Sequence, residues 1–143
     1  GSGPDEAAFR RLAKELGLEK TVKFAGAMPA RLAFSRGRCL IVPSRAESFP
    51  YIVLEAAAAQ LPMILTDVGG IPEIVDGTEI ELCQPGDEVL LEAQMSRFLN
   101  DPDIFVQQAK SLQTAVAENF TATGMAQAII EVYERALDLA GRT

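Results

Sequence analysis

The sequence predicts an α/β fold: a parallel sheet with flanking helices, followed by a wholly helical final third. Two short, uninterrupted apolar runs, Cys39-Leu40-Ile41-Val42 and Met63-Leu65 with Ile64 between, have the character of strands covered on both faces, as in parallel sheets. Helix signals lie between and after them, so strands and helices alternate as in doubly wound domains. Beyond residue 86 only helical periodicity remains.

In chain order, the first helix opens at Gly3-Pro4-Asp5-Glu6, with proline at an early helical position and two acids at the positive end of the helix dipole. Phe9, Leu12, Ala13 and Leu16 mark its apolar face, and Gly17 ends it as a left-handed cap. Thr21-Val22-Lys23-Phe24-Ala25 alternates like a short strand closed by Gly26, and a short helix follows around residues 30–35. The run at 39–42 is stopped by Pro43. Helices are expected over residues 50–60 and 71–75, either side of the 63–65 strand. Ile80-Glu81-Leu82-Cys83 is a weaker strand candidate, because Glu81 breaks the run. Three stripes close the chain: Leu91, Met95, Phe98 and Leu99; Phe105, Ala109, Leu112 and Val116; Met125, Ile129, Tyr133 and Leu137. Asn100-Asp101-Pro102 separates the first two. The whole of 1–143 reads as one partial domain, with an α/β core at 1–85 and C-terminal helices at 86–143. Gly1-Ser2-Gly3 is either a natural turn on the phosphate side of a preceding strand or a cloning remnant.

Composition narrows the chemistry. With 13 Lys and Arg against 20 Asp and Glu, the net charge is −7, so nucleic acid and anionic membrane are repelled and a phosphorylated ligand must be held locally. There is no histidine, which removes imidazole acid/base chemistry and the commonest zinc sites from anything the chain does alone. Metal-ligand clusters are not expected. Cys39 and Cys83 sit in apolar runs and read as reduced core thiols, consistent with a cytoplasmic protein. No apolar stretch approaches the roughly 20 residues of a membrane span, although a location at the inner face of a membrane through a partner domain stays open.

The stretch from Pro43 to Glu55 runs from a strand's carboxyl end through a loop into a helix, where open α/β sheets bind ligands. Unpartnered N–H groups at the start of that helix, at Tyr51, Ile52 and Val53, make an anion site suited to a diphosphate. Glu55 lies about 7–8 Å down the helix from Pro50 at the usual rise of ~1.5 Å per residue, and Glu47 stays in the loop above. Because Glu55 is surrounded in sequence by apolar residues, it is expected to be partly buried. A pair of ribose hydroxyls would satisfy it without adding charge, and bracing of a neighbouring backbone is the alternative.

Two glutamates separated by seven residues, after Pro43-Ser44 and before an alanine-rich helix, resemble the donor-site motif of retaining glycosyltransferases of the GT-B fold, family-four (group 1) type. The segments Gly1-Ser2-Gly3-Pro4, Leu16-Gly17-Leu18, Val22-Lys23-Phe24-Ala25-Gly26, Pro62-Met63-Ile64-Leu65-Thr66 and Asp67-Val68-Gly69-Gly70-Ile71-Pro72-Glu73-Ile74-Val75 agree in order. The resemblance spans roughly positions 1–100. It implies the C-terminal, Rossmann-like donor half of a GT-B enzyme, N-terminally truncated, with the acceptor-binding N-terminal domain as a missing partner. It further implies that Glu47 is catalytic, facing the transferred hexosyl group, and that the backbone at Ser48, Phe49 and Pro50 meets the sugar hydroxyls. Tyr51, Ile52 and Val53 would offer amides to the phosphates, Glu55 would hold the ribose, and Gly26 and Met28 would border the base. The donor would be a UDP-, GDP- or ADP-sugar, and no cofactor or metal is implied. Pro50 and Gln60 depart from the family's frequent glycines, and Gly69-Gly70 is either a turn or a direct donor contact.

The competing readings are a sugar-nucleotide epimerase or phosphorylase on the same fold, or a non-catalytic nucleotide- or protein-binding module. A doubly wound order 3-2-1-4-5-6 would leave the Cys39, Met63 and Ile80 strands as the fourth to sixth, with an exposed inner edge. Together with the apolar C-terminal stripes, that edge predicts self-association.

Overall fold

A computed structural model describes residues 3–140. The chain divides into two compact units, one up to Arg36 and one from Gly37 onward.

In the first unit, α1 covers Glu6–Glu15, so Pro4 and Asp5 form the turn before it rather than its first residues. Glu6 sits in the first turn and Lys14 in the last, both in favourable sense to the helix dipole. Gly17 ends the helix in the left-handed region (φ 69°), where the Leu18 N–H reaches Ala13 O at 2.8 Å and the Gly17 N–H reaches Lys14 O at 3.0 Å. That double closure needs a residue tolerant of positive φ. Of the apolar face only Ala13 is buried. The alternating segment 21–25 is not a strand. Its first amides, of Thr21 and Val22, turn back onto Leu18 O at 3.0 and 2.8 Å, and no described segment offers it a ladder. Alternation alone prepares a face, but only a hydrogen-bonded neighbour makes a strand. Phe24 instead lies under the Arg10 guanidinium, 4.5 Å from the ring centre. The helix α2 (Ala30–Phe34) completes the unit.

In the second unit, β1 (Leu40–Val42) and β2 (Met63–Leu65) pair in parallel with Leu40 opposite Met63 and Val42 opposite Leu65. The weak third candidate is reduced to a single parallel bridge between Thr66 and Cys83. Cys83 exchanges both bonds there: its N–H donates to Leu65 O at 2.9 Å and its carbonyl accepts from the Asp67 N–H at 2.8 Å. Glu81, exposed and hydrogen-bonded by the Gln94 amide at 2.6 Å, is drawn out of the would-be strand toward a helix. The fold is therefore a mostly helical α/β unit around a small parallel sheet.

The helices are α3 (Tyr51–Ala58), α4 (Ile71–Val75), α5 (Glu88–Asn100), α6 (Pro102–Asn119) and α7 (Ala122–Ala140). α3 packs chiefly against α6, and α5 against α6 and β2. Ile64 and Cys83 join Phe98 and Phe105 in one cluster, whose two rings meet edge to face at 5.4 Å. Phe105, Ala109, Leu112 and Val116 of α6 are all buried as their spacing predicts. Leu99 and Met95 are exposed, so the α5 stripe is narrower than expected. The α7 stripe exists, yet Met125, Ile129, Tyr133 and Leu137 are all exposed. No helix among the described residues is long and apolar enough to cross a membrane.

Candidate functional site

The loop 43–50 leaves the carboxyl end of β1 and enters α3, and two short segments hold it. At its start, the buried Thr66 hydroxyl lies 2.8 Å from Ser44 O and 3.2 Å from Val42 O, available as donor to both. At its far end, the Gly70 N–H donates to Ser48 O at 2.8 Å. Between these fixed points Glu47 is exposed, and its Oε1 accepts from the Ser44 hydroxyl at 2.9 Å. Phe49, half-buried, meets Tyr51 edge-on at 6.1 Å and Phe120, just past α6, at 5.9 Å.

Pro50 is the N-cap of α3, buried and extended (φ −81°, ψ 100°), and no side chain caps the helix. The Tyr51 and Ile52 N–H groups have no acceptor among the described residues. Val53 differs from expectation: its N–H already donates to Pro50 O at 3.0 Å, because the first turn is wound tightly enough to close on the cap carbonyl. Two of the three amides at the helix start are therefore open. Ser48 O is engaged by Gly70 and Pro50 has no N–H, so the other open donors of the loop's last three residues are the Ser48 and Phe49 amides.

Glu55 is exposed, not partly buried. α3 turns Val53, Ala56 and Ala57 into the core, and helical rotation carries Glu55 to the open side; its apolar neighbours in sequence are not its neighbours in space. Its carboxylate makes no hydrogen bond to the described residues, so it braces no backbone and is free to accept from a ligand. Gln60 has φ 53°, in the left-handed region that favours glycine. The Leu61 N–H reaches Ala56 O at 3.0 Å and the Gln60 N–H reaches Ala57 O at 2.9 Å, the same closure as at Gly17. Gln60 also donates through its side-chain amide to Gln113 of α6.

Gly26, at φ 72°, and the half-buried Met28 belong to the first unit. The second unit has a shallow cleft of about 180 Å³ at the carboxyl ends of its strands, walled by Pro43, Arg45, Thr66 and Gln84. Both cysteines are free, and burial pushes the Cys39 thiol up to about 11. Cys83 is raised by burial first and by Glu81 and Asp87 after it. Ser44 and Thr66 lie in segments that carry the resemblance, but their supporting roles, and that of Phe120, were not legible in the sequence: a buried threonine after a strand has no signature until its acceptors are known.

The mostly helical α/β fold around a small parallel sheet is consistent with part of a Rossmann-like GT-B domain. Residues 1–101 match the family described as glycosyl transferases group 1, and the chain belongs to it. It is 32% identical over 138 residues to N-acetyl-alpha-D-glucosaminyl L-malate synthase of Bacillus anthracis, covering 94% of this chain and 35% of that protein. The sucrose-phosphate synthase of Thermosynechococcus elongatus superposes with a TM-score of 0.79 at 28% identity, over 97% of this chain and 37% of that one. The C-terminal domain of a glycosyl transferase group 1 protein from Francisella tularensis has the same fold, with a TM-score of 0.67 at 21% identity, over 85% and 66% of the two chains.

Proposed function

We propose that this chain is the donor-binding part of a retaining glycosyltransferase that moves a hexosyl group from a nucleoside diphosphate sugar to an acceptor hydroxyl. The observation that carries the proposal is the arrangement around α3: two open amides at its start, Glu47 held above them and Glu55 unpaired one turn below. In this reading the Tyr51 and Ile52 amides, at the positive end of α3, take the diphosphate. Glu55 accepts from the ribose hydroxyls. Glu47, fixed by Ser44, faces the sugar. The bond from the anomeric carbon to the phosphate oxygen breaks, the nucleoside diphosphate leaves with the electron pair, and the acceptor oxygen bonds to that carbon on the same face while its proton passes to the departing phosphate oxygen. Residues 1–143 act as one partial domain, and an acceptor-binding domain elsewhere in the polypeptide closes the cleft.

NMR titration of the 143-residue chain with UDP, GDP, ADP and their sugar conjugates tests this. One nucleotide is expected to shift the amides of residues 48–55 with weak affinity. The helix terminus contributes about 0.3–1 kcal/mol, which keeps that affinity weak, and without an acceptor-binding domain the chain alone is expected to show no turnover. Glu55→Gln should weaken that nucleotide while leaving the fold intact. Shifts confined to residues outside 43–55, or unchanged affinity in Glu55→Gln, would refute the assignment.

A further inference from the structure

We infer that Gly69 and Gly70 are positioning residues for the sugar side of the site, not donor contacts; the inference rests on the donor-site reading above. The turn they form lies against the backbone that carries Glu47. A Cβ on Gly69 would overlap the Glu47 carbonyl oxygen and stand 2.7 Å from its carbon and 2.9 Å from Ser48 O. A Cβ on Gly70 would overlap Cδ2 of Phe49 and stand 3.0 Å from Cε2 and 3.2 Å from Ser48 O. Gly69 also has φ 54°, which glycine alone adopts without strain, whereas Gly70 has an ordinary φ of −83°. The approach is this close because the Gly70 N–H donates to Ser48 O at 2.8 Å. The Thr66 hydroxyl grips Ser44 four residues back along the same segment. Segment 66–70 thus fixes the loop at both ends of the span containing Glu47.

This placement separates two functions. The nucleotide side, at Tyr51, Ile52 and Glu55, is set by α3. The sugar side, at Glu47, Ser48 and Phe49, is set by the glycine turn. A change in the turn should therefore disturb recognition of the sugar and spare the nucleoside diphosphate.

The test compares wild type with Gly70→Ala, Gly69→Ala and the control Gly77→Ala. Gly77 shares the left-handed backbone (φ 72°) but a Cβ there meets nothing within 4 Å. For each, a crystal structure gives the Glu47 and Ser48 backbone, and NMR titration gives affinities for a nucleoside diphosphate and its sugar conjugate. In Gly70→Ala the Phe49 ring and the Ser48 carbonyl should move while β1 and α3 stay, and in Gly69→Ala the Glu47 carbonyl should move as well. The sugar conjugate should then lose about tenfold in affinity and the diphosphate little, since only the conjugate meets the displaced loop and one lost hydrogen bond accounts for a change of about that size. Gly77→Ala should show neither effect. If Gly69→Ala does not fold, Gly70→Ala decides. A Phe49 ring and Ser48 carbonyl both unmoved in Gly70→Ala, or parallel loss of both ligands, overturns the inference. Were the wild type to bind no nucleotide, the donor-site reading would fall, and the backbone comparison would still decide whether the turn sets the loop.

Discussion

Replacing Thr66 by valine keeps the shape of a buried residue and removes one hydroxyl. Thr66 is 3% exposed, and its Oγ1 lies 2.8 Å from Ser44 O and 3.2 Å from Val42 O. Val42 O retains a second donor, the Thr66 N–H at 3.3 Å, so it is not orphaned. Ser44 O is. An acceptor left unmatched costs about 1–3 kcal/mol, and the valine methyl, more favourable in the core than a hydroxyl, offsets part of that. The expected loss is about 1.5 kcal/mol. With a urea dependence of about 1–3 kcal/mol per molar, the midpoint should fall by roughly 0.5–1.5 M at unchanged slope. Thr66→Ser keeps the hydroxyl and loses a buried methyl, about 1 kcal/mol. Stability alone separates the two poorly, but the amide spectrum does not: Thr66→Val should shift residues 44–48, and Thr66→Ser should leave them in place. A valine variant within about 0.5 kcal/mol of wild type, with the loop unshifted, would refute the argument that this hydroxyl anchors the Glu47 loop.

Gln60→Gly should stabilise the chain by about 0.5 kcal/mol in urea melts, because relief of a left-handed non-glycine residue outweighs an exposed side-chain hydrogen bond and the greater freedom of the unfolded chain. Burial in the fold holds the Cys39 proton up to about pH 11, while the unfolded thiol releases it near its ordinary value of 9.0. The stability this contributes is present below pH 9.0 and lost as pH rises through about 11, so thermal melts of Cys39→Ser should fall less steeply over that window than wild type. Light scattering across a concentration series should show the chain associating, since Met125, Ile129, Tyr133 and Leu137 are exposed along α7; a monomer at high concentration would contradict this.

The strands at 40–42 and 63–65 and every helix were legible because their signals are local: continuous apolar runs for buried strands, and helical spacing for the rest. Residues 21–25 misled because a strand depends on a partner distant in sequence, which alternation does not encode. Glu55 misled in the opposite way: composition around it suggested burial, and helical rotation decided otherwise. The candidate loop stood out by its strand-to-helix setting and its two glutamates. Its supports, Thr66 and the Gly70 amide, each act through a contact 22 residues away along the chain, which no local pattern displays. Gly69-Gly70 stood out as either a turn or a direct donor contact, and what the turn touches made it informative.

The ring of Phe120, against Phe49, is also the root of α7, a helix of 19 residues and so about 28 Å long. None of its described residues is buried, so its apolar stripe lies open along the whole of that length. Anything that covers the stripe therefore sits on a helix that begins two residues beyond the ring packed against Phe49 of the 43–50 loop.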